Sequence, residues 1–149
     1  MIYDELGAFF AWWYQTRPFM PPASGDVIQT TDVSMSSILY RSGAFQVQYM
    51  TYQPGAVGTE HKHPNVDSIF IYACGDLTVT RNDEQPFIGI EPGQQIIRVK
   101  PDDWHGVSFG PRGGAFYAIQ HWLDGKPGFV LDDWIFRDKN EVRKSYGTT

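Results

Sequence analysis

The sequence predicts an all-β barrel with a short N-terminal helix. Three observations predict it. Runs of β-branched and aromatic residues recur from Val27 onward, some alternating apolar with polar. Glycine and proline punctuate them, at Gln53-Pro54-Gly55, Gly75-Asp76 and Pro92-Gly93. A single stripe of helical period stands apart from them, at the start of the chain. Many short strands at regular spacing, separated by such turns, make a sandwich or a barrel.

The helical stripe is Leu6, Phe9, Phe10 and Trp13, at i, i+3, i+4 and i+7. Asp4 and Glu5 suit its first turn, near the positive end of the helix dipole. Pro18, Pro21 and Pro22 stop it. Trp12 and Tyr14 lie off the stripe, so its aromatic surface is wider than one face. The helix is expected to cap the barrel, with a dimer contact or a ligand lid as the sharper alternatives. Phe45-Gln46-Val47-Gln48-Tyr49 alternates as a strand does. Ile69-Phe70-Ile71-Tyr72 reads as a strand that Gly75-Asp76 ends with a turn. Leu77-Thr78-Val79-Thr80, Ile96 to Val99 and Phe116 to Trp122 supply further strands, and Arg81-Asn82-Asp83-Glu84 a loop. The organisation expected is a helix and proline-rich connection over 1–26, a barrel over 27–136, and a polar tail over 137–149.

Composition narrows the function. The 149 residues suit one domain, and 42% hydrophobic with 15% aromatic residues is ample for a core. A net charge of -5 and the lack of a Lys/Arg cluster argue against nucleic acid as a partner. No run approaches the roughly 20 apolar residues of a membrane span. Cys74 is the single cysteine, so no disulfide forms within the chain, which fits a reducing compartment. It reads as a small strand or turn residue rather than a nucleophile. The acidic start Met1-Ile2-Tyr3-Asp4-Glu5 lacks the basic opening of a signal peptide, and a cytoplasmic protein is expected. Aromatic excess at the N-terminus points to a homodimer.

All four histidines lie between positions 61 and 121. His61-Lys62-His63 has i, i+2 spacing, which on a strand points both rings to one face. Two imidazoles so placed can meet one ion. Asp67, four residues on, offers a hard oxygen ligand. His105, in Trp104-His105-Gly106-Val107, is distant in sequence but can return across a barrel. Imidazole suits Zn, Cu, Fe and Ni, and oxygen ligands suit harder ions such as Mn; the absence of cysteine beside the histidines argues against a thiolate-rich structural zinc site. His121 shares a strand face with Tyr117 and Ile119 and reads as a packed, half-buried histidine.

These residues resemble the cupin superfamily. Its first motif is similar to the run from Gly55 through His61, His63 and Asp67 to Gly75. Its second is similar to Pro92-Gly93 followed by Lys100-Pro101-Asp102-Asp103-Trp104-His105. The likeness covers roughly Phe45 to Trp122. It implies a cupin-type double-stranded β-helix, or jelly roll, with one divalent metal ion (Fe, Mn, Zn or Ni) in its mouth on His61, His63 and His105. The family's glutamate is replaced by Asp67 as fourth ligand; alternatively Ser68 holds the glutamate register and the site is three histidines plus water. Such a site suits a metal-dependent enzyme acting on a small organic molecule, a dioxygenase, an isomerase or a relative, with His121 and Glu60 as candidate general bases. The alternative from another class is a non-catalytic cupin that binds a small ligand or serves as a structural module. Phe70, Tyr72, Trp104, Phe116, Tyr117 and Trp122 are expected to form either a pocket wall or ordinary barrel core.

Overall fold

Strand pairing builds this molecule. The computed structural model describes residues 26–31, 34–125 and 135–138. They form β1 (Asp26–Thr31), β2 (Ser34–Ser42), β3 (Phe45–Tyr52), β4 (His61–Lys62), β5 (Val66–Arg81), β6 (Phe87–Ile88), β7 (Ile96–Val99), β8 (His105–Trp122) and β9 (Ile135–Phe136). No helix occurs among the described residues; the expected N-terminal helix lies outside them. All strand pairs are antiparallel, and one path of neighbours runs β1-β2-β3-β8-β4-β9, with β5 pairing β6, β7 and β8.

Two long strands hold the barrel together. β5 and β8 pair along nearly their whole lengths, from Val66 opposite Trp122 to Arg81 opposite His105. The turn expected at Gly75-Asp76 is instead a bend inside β5. The register shifts on either side of it, between Tyr72 and Cys74 and between Gly75 and Leu77. Gly75 has φ of +82°, and a Cβ there would sit 2.0 Å from the Gly113 carbonyl oxygen. Only glycine allows that backbone to approach its partner so closely. The bend lets one strand serve both halves of the barrel.

Alternation then assigns each side chain to the inside or the outside. Phe70 and Tyr72 of β5, Phe116 and Ala118 of β8, and Ile97 and Val99 of β7 belong to the main core, with Leu77, Val79, Val107 and Phe109 from the other half. Met50 and Tyr52 of β3 pack against the same core. The opposite faces of these strands carry a second cluster, Phe45, Val47 and Ile119, packed by Leu39, Tyr40, Ile69 and Ile71. Thus β3, β8 and β5 bury both faces. Of the aromatic residues expected at the core or pocket, Phe70, Tyr72 and Phe116 are interior, whereas Tyr117 faces the other way, edge-on to Tyr49 at 5.0 Å.

Candidate metal centre

The site grows from two short pieces of chain that meet where β4 pairs with the start of β8. His61 opens β4 and pairs directly with His105, the first residue of β8. His105 shares its strand face with Val107 and Phe109 of the core, so its ring points inward. His63 stands just past the end of β4. Its carbonyl accepts a hydrogen bond from the Asp102 amide at 3.1 Å, which ties the first histidine segment to the loop that delivers His105. That loop is itself braced. The Asp103 carboxylate accepts from the Lys100 amide and from Asn82 Nδ2, and Asn82 Oδ1 accepts from the Trp104 amide. Lys62 closes the outer side, 3.4 Å from Asp102 and over the Trp104 ring at 4.9 Å.

The three rings converge. Ring centroids of His61 and His105 are 4.3 Å apart, His61 and His63 4.8 Å, and His63 and His105 5.2 Å. One nitrogen from each lies within 4.8 Å of the others. The hydrogen bonds choose the tautomers. His61 Nδ1 lies 2.8 Å from the Thr59 carbonyl oxygen, and His105 Nδ1 lies 2.9 Å from that of Asp103. A carbonyl only accepts, so each Nδ1 carries the proton and each Nε2 keeps its lone pair. That is how backbone carbonyls orient metal-binding imidazoles.

Electrostatics keeps the rings neutral. Burial pushes His61 down to about 3, the neighbouring His105 pushes it the same way, and the Thr59 carbonyl opposes. His63 is held well below the ordinary imidazole range by burial first, then by His61 and His105. Burial also lowers His105, against Asp103 and Glu60, which favour its charged form. Neutral imidazole is the form that ligates. The donor set therefore fits a divalent ion, and three protein ligands leave coordination positions open.

Asp67 is not among the residues brought together. It is buried, yet Arg98 grips it with two bonds, Nε to Oδ1 at 3.1 Å and Nη2 to Oδ2 at 2.9 Å. Its strand parity explains this. Asp67 shares its face with Ile69 and Ile71 of the outer cluster, while Ser68 shares its face with Phe70 and Tyr72 of the core. The inward position in the glutamate register is thus Ser68. Phe70, two residues on, places its ring 6.1 Å from His105. His121 sits opposite Asp67, on the outer parity of Ile119. Glu60 is engaged by Arg137 at 3.1 Å and Thr80 at 3.3 Å. Neither candidate base is part of the histidine cluster.

Three glutamines were not singled out as site residues from sequence. Gln46 and Gln48 of β3 and Gln120 of β8 have the inward parity of Met50, Phe116 and Ala118. The signal was available in the alternation of β3, but alternation says only that two faces differ, not which one is inside.

No family model matches this sequence, and no curated protein matches it. Solved structures do. KdgF from Halomonas sp. is 19% identical with a TM-score of 0.58, over 64% of this chain and 84% of that one. An RmlC-like cupin from Shewanella frigidimarina is 16% identical with a TM-score of 0.54, over 66% and 84%. Oxalate decarboxylase from Bacillus subtilis is 14% identical with a TM-score of 0.57, over 79% of this chain but 31% of that longer one. At these identities the likeness is one of fold: the chain is a cupin-type double-stranded β-helix.

Proposed function

We propose that this cupin-type barrel holds one divalent metal ion on His61, His63 and His105 and uses it to bind and activate a small organic molecule. The convergence of three neutral imidazoles, two of them with Nδ1 committed to a carbonyl, carries this reading. A bound ion would supply Lewis acidity, polarising a carbonyl or lowering the pKa of a water. The chain's own part is to orient the Nε2 atoms, to exclude bulk water with Phe70 and the core behind it, and to keep the imidazoles neutral. Three neutral ligands without Asp67 favour isomerisation, hydrolysis or a related Lewis-acid reaction over the dioxygenase chemistry that a carboxylate ligand would suit.

A second reading is favoured by one observation. Glu60 is occupied by Arg137 and Thr80, and His121 has outward parity, so no described carboxylate or further histidine joins the cluster to move a proton. A metal-assembled binder of a small ligand, without turnover, fits that fact. The decisive experiment measures metal content in protein purified without a chelating tag, beside His61→Ala and His105→Ala. One equivalent in the parent and none in the folded variants supports the site; a full equivalent in either variant sinks it. Water-proton relaxation of the manganese-loaded protein then separates the readings. An exchangeable metal-bound water goes with catalysis, and its absence with plain binding.

A further inference from the structure

Two polar side chains inside the barrel have no partner among the described residues. Gln48 is 3% exposed and Ser68 is 3% exposed. Among the described residues, neither side chain makes a hydrogen bond. Strand register sets them on the two strands that flank β8, one row apart, so that a molecule between them could reach both. One row across the sheet runs Gln46, Gln120, Ser68, Val99, and the next runs Gln48, Ala118, Phe70, Ile97. Both rows have inward parity, since Ala118, Phe70, Ile97 and Val99 all belong to the core. Gln46 Nε2 donates to Gln120 Oε1 at 3.1 Å, so the Gln120 amide hydrogens are not used in that bond. Phe70 connects this wall to the metal centre, with its ring 6.1 Å from His105.

A buried amide without a partner is costly, so folded proteins rarely keep one without a use. The use here must be a neutral one. The cations whose side chains are described are committed elsewhere or exposed: Arg98 to Asp67, Arg81 to Glu84, Arg112 to Asp76, Arg137 to Glu60 and Asp83, Lys62 to Asp102, with Lys100 on the surface. A carboxylate or phosphate placed against Gln48 and Ser68 would lose its hydration and meet no positive charge from the described side chains. A hydroxyl, carbonyl or carboxamide would find both donors and acceptors.

We propose that Gln48, Ser68 and Gln120 form a neutral hydrogen-bonding subsite inside the barrel for the uncharged polar end of a small molecule whose other end reaches the metal centre. The ligand class is therefore a compound with at most one anionic group, at the metal end, and a hydroxyl, carbonyl or carboxamide at the far end. The metal-end half rests on the reading given under Proposed function; the amide half does not.

The test has two arms. The first uses metal-free protein. Gln48→Met fills the same volume without a polar group, so it is expected to raise the melting temperature by about 2–4 °C, as removal of an unsatisfied buried polar group should. An unchanged or lower value would mean that the amide is already satisfied, by ordered water for instance, and would overturn the subsite. The second arm titrates zinc-loaded parent protein with butyrate, succinate and succinamate, which share a carboxylate and differ at the far end, and with the longer hexanoate, adipate and adipic mono-amide. The mono-amide should bind at least about 10-fold more tightly than the diacid of one or both lengths, and Gln48→Met should erase that preference. Equal affinities, or a preference for the diacid, would overturn the proposal. Should the parent bind no zinc, the metal reading fails, and the first arm still decides whether the amides are held open for a ligand.

Discussion

The inner and outer faces of strands β3, β8 and β5 are made from the same stretches of sequence, one residue out of step. Inside lie Gln46, Gln48, Gln120 and Ser68, above a core of Phe70, Tyr72 and Phe116. Outside lie Phe45, Val47, Ile119 and Ile69, with Asp67 and its partner Arg98 at one edge. The face with more polar side chains is the one turned toward the histidine cluster; the more apolar face is the outer one. In an ordinary sandwich the alternation runs the other way, polar outward and apolar inward. The inversion teaches that a barrel with a site inside it can spend its inner face on recognition, provided the outer face is buried as well. It also makes one residue of register decide whether a side chain can face the histidine cluster.

The largest effect should come from breaking the inner face at its metal end. His61→Ala and His105→Ala are each expected to lose the whole equivalent of bound metal, measured by elemental analysis, while circular dichroism remains that of a β protein. The core is carried by Phe70, Val79, Ile97, Val107 and Phe116, none of which needs the ion. Loss of fold in both variants would show the cluster to be structural instead.

Ser68→Glu sharpens the comparison from the other side. It puts a carboxylate in the inward position that Asp67, one residue earlier, does not occupy. Metal affinity should rise by at least about 10-fold, the scale on which groups around a metal act. Metal-free stability should fall, because an unpaired carboxylate would then be buried. An affinity no tighter than the parent's would mean that position 68 does not face the ion.

The barrel class and the meeting of His61, His63 and His105 could be read from sequence, for physical reasons. Strand alternation and turn residues are local signals, and a His-x-His pair carries its geometry within three residues. Other features depended on partners far along the chain. Gly75 reads as the end of a strand because glycine usually interrupts one; only the Gly113 backbone pressed against it shows that the strand goes on. Asp67 reads as a ligand because carboxylates ligate, and only Arg98, 31 residues away, shows where its charge is spent. Gln46 and Gln48 read only as the polar half of an alternating strand, and the two clusters show that both halves are buried, with the glutamines on the inner side.

A smaller effect should appear with pH, and its sign follows from the neutral histidines. Unfolded histidine titrates near about 6.5. In the fold, burial depresses all three, His61 to about 3. Between those values the unfolded chain binds more protons than the folded one, so stability rises with pH there. The contribution is whole above about 6.5 and is lost as pH falls toward about 3. Urea unfolding of metal-free protein from pH 7.5 down to 4.5 should show this decline, and the His61→Ala variant should show a shallower one. A parent curve that is flat over this range would mean that the rings are not buried together as neutral imidazoles.

The smallest effect belongs to the outer face. Asp67→Asn removes the carboxylate but keeps the side-chain shape, leaving Arg98 without its bidentate partner. Asp67 is buried while the Arg98 side chain is 44% exposed, so the arginine can turn to water once released. The loss should therefore fall below that of breaking a fully buried pair, at about 1–2 kcal/mol in chemical denaturation. An Arg98→Met partner variant closes a double-mutant cycle, in which most of that loss should appear as coupling between the two residues. Zinc affinity in Asp67→Asn should stay within about 2-fold of the parent, since the outer face contributes no ligand atom. A loss of 10-fold or more would put the carboxylate back at the metal, undo the inside-outside assignment at position 67, and return the chemistry to that of a histidine-carboxylate site.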